Sequence, residues 1–128
     1  MNQEDHACLF CNIPHERVVI ENALMFAIRD GFPVTPLHTL IIPKRHVRDY
    51  FGLTSEEILA ADEMLNKLSN LIQTEDQSVQ GFNIGINAGA AAGQTIFHCH
   101  IHLIPRREGD VENPRGGVRH LIPGKGFY

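Results

Sequence analysis

The stretch "FHCHIHLIPR", residues 97–106, sets histidines at every second position of an apolar run and ends it with a proline. That period is the period of a β-strand, where neighbours point to opposite faces and alternate residues share one. On this reading Phe97, Cys99, Ile101 and Leu103 form a core row, and His98, His100 and His102 line a polar surface or a cleft. Cys99 then needs no chemistry, being a small buried hydrophobe. A row of three protonated imidazoles repels itself, so some are neutral and held in defined tautomers, which marks a functional cluster.

Working outward, "GFNIGINA" reads as a strand with glycines in it, followed by the small-residue loop "GAAAGQ". Earlier, Thr54 caps a helix, with Glu57 three residues on completing a capping box and Leu53 stapling onto Ile58. Ile58, Ala61, Leu65, Leu68 and Ile72 recur at helical spacing as one apolar face. "TEDQSVQ" is a polar connector. "RVVIE" and "LMFAIR" form a hairpin turned at Asn22, "DGFPVTPLH" is a loop, and "HTLIIPKRH" is extended until Pro43 breaks it. One helix among several strands predicts an α+β domain on an antiparallel sheet, and the exposed edges of so small a sheet predict a homodimer.

The 128 residues suit a single domain over 1–128, with an N-terminal segment at 1–16 and an irregular arm at 106–128. At 43% hydrophobic and 20% charged residues the composition is that of a globular protein. The net charge of −4 argues against a general grip on nucleic acid. No run spans a bilayer and the N-terminus lacks a signal-peptide pattern, so a cytoplasmic chain without membrane contact is expected. Three cysteines in such a chain argue against a disulfide framework.

Two chemistries compete for the histidine row. Neutral imidazoles at alternate strand positions ligate metal, and an imidazole nitrogen also attacks phosphorus and carries the transferred group. The flanking "NAGAAAGQT" favours the second. Its small residues let backbone N–H groups approach an anion, while Asn87, Gln94 and Thr95 offer polar side chains to phosphate oxygens. The loop lacks the ending of a Walker motif.

The run His98-Cys99-His100-Ile101-His102-Leu103-Ile104 resembles the H-φ-H-φ-H-φ-φ signature of the histidine triad (HIT) nucleotide hydrolases and transferases. The resemblance extends through "GQT", "NAG", "HTLIIPKRH" and "CLFC", and the tail is similar to that of bacterial diadenosine tetraphosphate hydrolase-like members. It implies a five-stranded antiparallel sheet with one long helix, paired into a continuous sheet across a dimer. It implies cleavage at the α-phosphate of a nucleoside substrate, with His100 as nucleophile. The His98 carbonyl would accept from His100 Nδ1–H and free Nε2, while His102 would donate to a non-bridging phosphate oxygen. Thr95 would bond phosphate or leaving-group oxygen, with Gln94 and Gly93 completing the cradle. Asn87 matches a phosphate-side or ribose-side amide, and Asp30 a position contacting ribose hydroxyls, although Asp30 before Gly31 also reads as a turn residue. His38 matches a fourth histidine near the site, with a buried loop-orienting histidine as the alternative.

Some family members hold structural zinc through residues that correspond to Cys8, Cys11, His46 and His98, an S₂N₂ set that suits the metal. Zinc would staple the N-terminal segment to the sheet, and no cofactor is required for the covalent step. His6 and His15 read as surface residues, and the tail arginines, Arg106, Arg107, Arg115 and Arg119, as solvated. Alternative readings are a nucleoside phosphoramidase, a nucleotidyl transferase, or a nucleotide-binding scaffold with slow turnover.

Overall fold

A computed structural model describes residues 7–128, so His6 and the start of the N-terminal segment lie outside the described residues. Asn22 makes the first turn: its Oδ1 accepts from the backbone N–H of Leu24 and Met25, folding β1 (Val18–Glu21) back on β2 (Met25–Arg29). β3 (Thr39–Pro43) pairs with β2, α1 (Ser55–Glu75) crosses the sheet, and β4 (Val79–Ile86) and β5 (Ile101–Arg107) complete it. The order is β1-β2-β3-β5-β4 with every pairing antiparallel. This is the expected α+β architecture of five strands and one helix.

Alternation divides the core between the two faces of the sheet. Met25, Ala27, Ile41, Ile101 and Leu103 pack with Ala61, Met64, Leu68 and Ile72 of α1. Ile28, Leu40 and Ile42 pack on the opposite face with Cys8 and Phe10 of the N-terminal segment. The helix therefore occupies one side, and the chemistry is left to the other.

Thr54 and Glu57 form the expected capping box. The apolar stripe is phased differently from its sequence reading. Ile58 is 39% exposed and Met64 is buried, because Glu57 turns inward to meet Arg45 at 2.8 and 3.1 Å. The carboxyl of Glu57 is held below its ordinary pKa first by Arg45, then against burial by the Thr54 backbone.

The histidine segment also departs from a uniform strand. β5 begins at Ile101, and 95–100 is irregular. Cys99, Ile101 and Leu103 are buried as expected, but Phe97 is 36% exposed and His98 is wholly buried. Cys99 N–H donates to the carbonyl of Val47 at 2.7 Å, holding the irregular path. Burial, followed by the charges of Asp49 and Glu57, pushes the Cys99 thiol up to about 12, which leaves it inert. The arm starts later than expected, since Arg106 and Arg107 end β5. Arg106 pairs with Asp110 and Arg107 with Asp76, while Arg115 and Arg119 stack on Tyr128. The arm is ordered by a 3-10 turn at Gly117–Leu121.

Candidate functional site

Hydrogen-bond partners determine which nitrogen of each triad histidine carries hydrogen, because a backbone carbonyl only accepts and an amide N–H only donates. His98 Nε2 lies 2.8 Å from the Pro43 carbonyl, so Nε2 bears the proton and Nδ1 presents a lone pair. His100 Nδ1 lies 2.8 Å from the His98 carbonyl, so Nδ1 is protonated and Nε2 is free. The His98 contribution is thus a backbone one, as the family resemblance implies.

A second chain of contacts sets His102. His38 Nδ1 accepts from the backbone N–H of Val34 at 3.0 Å, so its Nε2 carries hydrogen and donates to His102 Nδ1 at 3.0 Å. His102 must then carry its own proton on Nε2, as a donor. Burial, with the neighbouring rings of His100 and His38, lowers the His102 pKa to about 4, against a smaller upward pull from Asp30. Burial lowers that of His38 as well. Both rings are neutral at pH 7, so the chain of tautomers holds there. His38 is both buried against its loop, through Val34 N–H, and a fourth histidine beside the site, 3.0 Å from His102.

Asp30 serves its turn, Oδ1 accepting from Phe32 N–H at 2.8 Å, while Oδ2 lies 3.5 Å from His38 Nε2. Asp30, His38, Asn87 and His102 line one cleft of about 460 Å³, walled by Val34, Ile84, Ile104, Val118 and Leu121. Gly85 pairs with His102 across β4 and β5 and presents no side chain there. The ring of His100 sits between those of His102 and Phe10, at centroid distances of 5.2 and 4.9 Å.

The three loop residues contribute in different ways. Gln94 is buried and its amide is used within the loop, accepting from Gly89 N–H and donating to the carbonyls of Arg48 and Ile96. It shapes the cradle and offers no side chain to phosphate. Gly93 takes a left-handed turn at φ 95° that only glycine adopts freely, after the 3-10 turn Ala90–Ala92. Thr95 lines a separate hollow with Arg48 and Phe97.

Cys8, Cys11, His46 and His98 converge. His98 Nδ1 lies 3.3 Å from Cys8 Sγ, 3.5 Å from Cys11 Sγ and 3.1 Å from His46 Nδ1, and Cys11 Sγ lies 3.2 Å from His46 Nδ1. The edges of a tetrahedron with ordinary Zn–N and Zn–S bonds are about 3.3 to 3.8 Å. The four donor atoms, all within 4.8 Å of one another, fit a zinc ion. His15 is exposed and outside this group, as expected.

Sequence reasoning missed Phe10, the Pro43 carbonyl, Arg48 and the apolar wall of the cleft. Phe10 sits inside the cysteine motif, Pro43 inside "HTLIIPKRH" and Ile104 of the wall at the end of the triad signature, whereas Arg48 lies outside every quoted motif.

The profile of the HIT domain matches residues 13–109. A HIT-like protein of Mycoplasma pneumoniae is 38% identical over 105 residues, covering 79% of this chain and 72% of its own. Adenylylsulfatase HINT3 of Arabidopsis thaliana is 37% identical over 107 residues, covering 80% of this chain and 54% of its own. Among solved structures, a Zn-bound histidine triad family protein from Mycobacterium smegmatis superposes with a TM-score of 0.73 at 34% identity, over 81% of this chain and 78% of its own. The diadenosine triphosphate hydrolase of Plasmodium falciparum superposes with a TM-score of 0.72 at 29% identity, over 79% and 68%. With fold, triad and profile in agreement, this chain belongs to the HIT domain family.

Proposed function

We propose that the protein is a nucleotide hydrolase that cleaves at the α-phosphate of a nucleoside-phosphate substrate, such as a dinucleoside polyphosphate, through a covalent nucleotidyl intermediate on His100. The observation that carries this reading is the 2.8 Å contact of His100 Nδ1 with the His98 carbonyl, which leaves Nε2 free to attack. Two similar proteins, named adenylylsulfatase and diadenosine triphosphate hydrolase, support the substrate class.

Nε2 of His100 forms a bond to the α-phosphorus as the bond from phosphorus to the leaving oxygen breaks, its electron pair going with that oxygen. The Nδ1–H stays in place, and the imidazolium that results is stabilised by the His98 carbonyl. His102 Nε2–H donates to a non-bridging oxygen as charge grows there. Water then attacks phosphorus and passes its proton to bulk solvent as the N–P electron pair returns to His100 Nε2. In the cleft they line, Asp30 accepts from ribose hydroxyls and Asn87 donates its Nδ2–H to a phosphate oxygen.

Zinc on Cys8, Cys11, His46 and His98 supplies a structural cross-link when bound. Those residues then tie the N-terminal segment to the backbone whose carbonyl orients His100. Pairing of two copies through a sheet edge, β1 or β4, belongs to the same reading. So does a cytoplasmic setting.

The test is turnover of diadenosine polyphosphates, adenosine phosphoramidate and adenylyl sulfate by wild type and His100→Asn. Wild type is expected to hydrolyse at least one of them, with His100→Asn lowering kcat by about 10³-fold or more while keeping nucleotide affinity. A variant that keeps more than about a tenth of the rate would overturn the reading, because a covalent route has no substitute nucleophile.

A further inference from the structure

A second hollow, of about 430 Å³, opens beside the segment that leads into the triad, and its lining shares no residue with that of the cleft holding Asp30 and His102. Arg48, Thr95, Ile96, Phe97 and His46 are among the residues around it. Arg29, Arg45, Arg106 and Arg107 each pair with a carboxylate, whereas Arg48 has none among the described residues. Its guanidinium lies 4.4 Å over the ring of Phe97. Thr95 is exposed, and among the described residues, which wall the hollow on its N-terminal side with Ala7, Cys8 and Leu9, no acidic one lines it.

We infer that this hollow receives an anionic, phosphate-bearing leaving group and that Arg48 is the residue that selects for it. The inference rests on the proposed attack by His100 and deepens it by naming the kind of group that leaves. In-line displacement places the leaving oxygen opposite His100 Nε2 and the nucleoside to one side, so the two halves of the substrate need separate openings. Asp30 marks one opening as the place for a ribose. The other carries Arg48, without a carboxylate partner among the described residues, and Thr95.

The walls of the hollow are held together. Gln94 Nε2 donates to the Arg48 carbonyl at 2.7 Å, and Cys99 N–H donates to the Val47 carbonyl at 2.7 Å. Residues 47–48 are therefore strapped to the same irregular segment that ends at His100. This is the positive use of the buried Gln94 amide: it fixes the backbone from which Arg48 projects. Stacking on Phe97 limits the rotamers of Arg48 while leaving its N–H edges available to phosphate oxygens. When the bond to phosphorus breaks, the leaving phosphate gains a negative charge that Arg48 meets. An amine leaving group takes up a proton from solvent and departs neutral, and gains nothing from the cation.

The experiment compares kcat/KM for diadenosine tetraphosphate and adenosine 5′-phosphoramidate in wild type, Arg48→Ala and Arg48→Lys, with thermal unfolding as a folding control. Arg48→Ala is expected to lower the ratio of the two constants in favour of the phosphoramidate by about tenfold, the size of one charge-assisted contact near solvent. Arg48→Lys is expected to retain most of the wild-type ratio, and added salt to shrink the ratio in wild type alone. A ratio unchanged in Arg48→Ala, or a wild type that hydrolyses the phosphoramidate alone, overturns the subsite. If His100 is nucleotidylated by both substrates in that case, the proposed function stands without it. If His100 is never nucleotidylated, both fall together.

Discussion

An imidazole does different chemistry from each nitrogen, and at this site the partner of one nitrogen assigns the task of the other. The His98 carbonyl makes His100 a nucleophile, and His38 makes His102 a donor. His38→Ala removes the donor to His102 Nδ1 and lets that ring take the opposite tautomer. It is expected to lower kcat by about tenfold to a hundredfold, less than the roughly 10²–10³-fold of a donor removed outright because the His102 ring itself stays in place, with zinc content unchanged. Steady-state kinetics with elemental analysis checks this, and an unaltered kcat would show that His102 needs no orientation. The triad was legible in the sequence as a period of two, and the resemblance supplied the roles. The destinations of Gln94 and Thr95 were not legible. Both are polar residues of a small-residue loop, and only the folded path shows that one amide closes the loop and one hydroxyl faces a different hollow.

Helix α1 owes its start to a capping box and its anchorage to a buried charge. Glu57 is 3% exposed, accepts from Thr54 N–H, and is gripped by Arg45 from the segment that leads into His46. Arg45→Ala takes the cation from this buried carboxylate, and because the Arg45 side chain is 41% exposed and screened by solvent the expected cost is about 1.5 kcal/mol. Urea unfolding at pH 7 measures it, and a loss within about 0.5 kcal/mol, typical of surface substitutions, would mean the pair is solvated. The cap was readable because Thr54 and Glu57 stand three apart. The stripe was misphased at Ile58 because a glutamate is not counted as apolar, although this one points inward. The start of β5 was misplaced for a related reason: alternation continues through 97–100, but His98 is drawn inward by the Pro43 carbonyl and the cysteine cluster.

At the scale of the whole molecule, the sheet separates a face packed by the helix from a face that carries the chemistry. The N-terminal segment closes part of that second face with Phe10 and Cys8. Zinc bound at Cys8, Cys11, His46 and His98 would make this closure a cross-link between residues about ninety positions apart in the chain, since Cys8 and His98 are separated by 90. Protein purified without added metal is expected to hold one zinc per chain, and Cys11→Ser to lower the thermal unfolding midpoint by several degrees. Absence of zinc together with an unshifted midpoint would remove the staple from the account. The antiparallel topology followed from one helix among hairpin-like strands, whereas the ordered arm did not, because its stacking of arginines on Tyr128 has no period to betray it.

Everything at the site converges on one nitrogen atom, His100 Nε2. Rapid acid-free quenching during turnover of diadenosine tetraphosphate, followed by mass spectrometry of the peptides, tests it most directly. One nucleoside monophosphate on His100, lost in acid and absent from His100→Asn, is the predicted result. Turnover with no adduct, or with the adduct on another residue, would contradict the account.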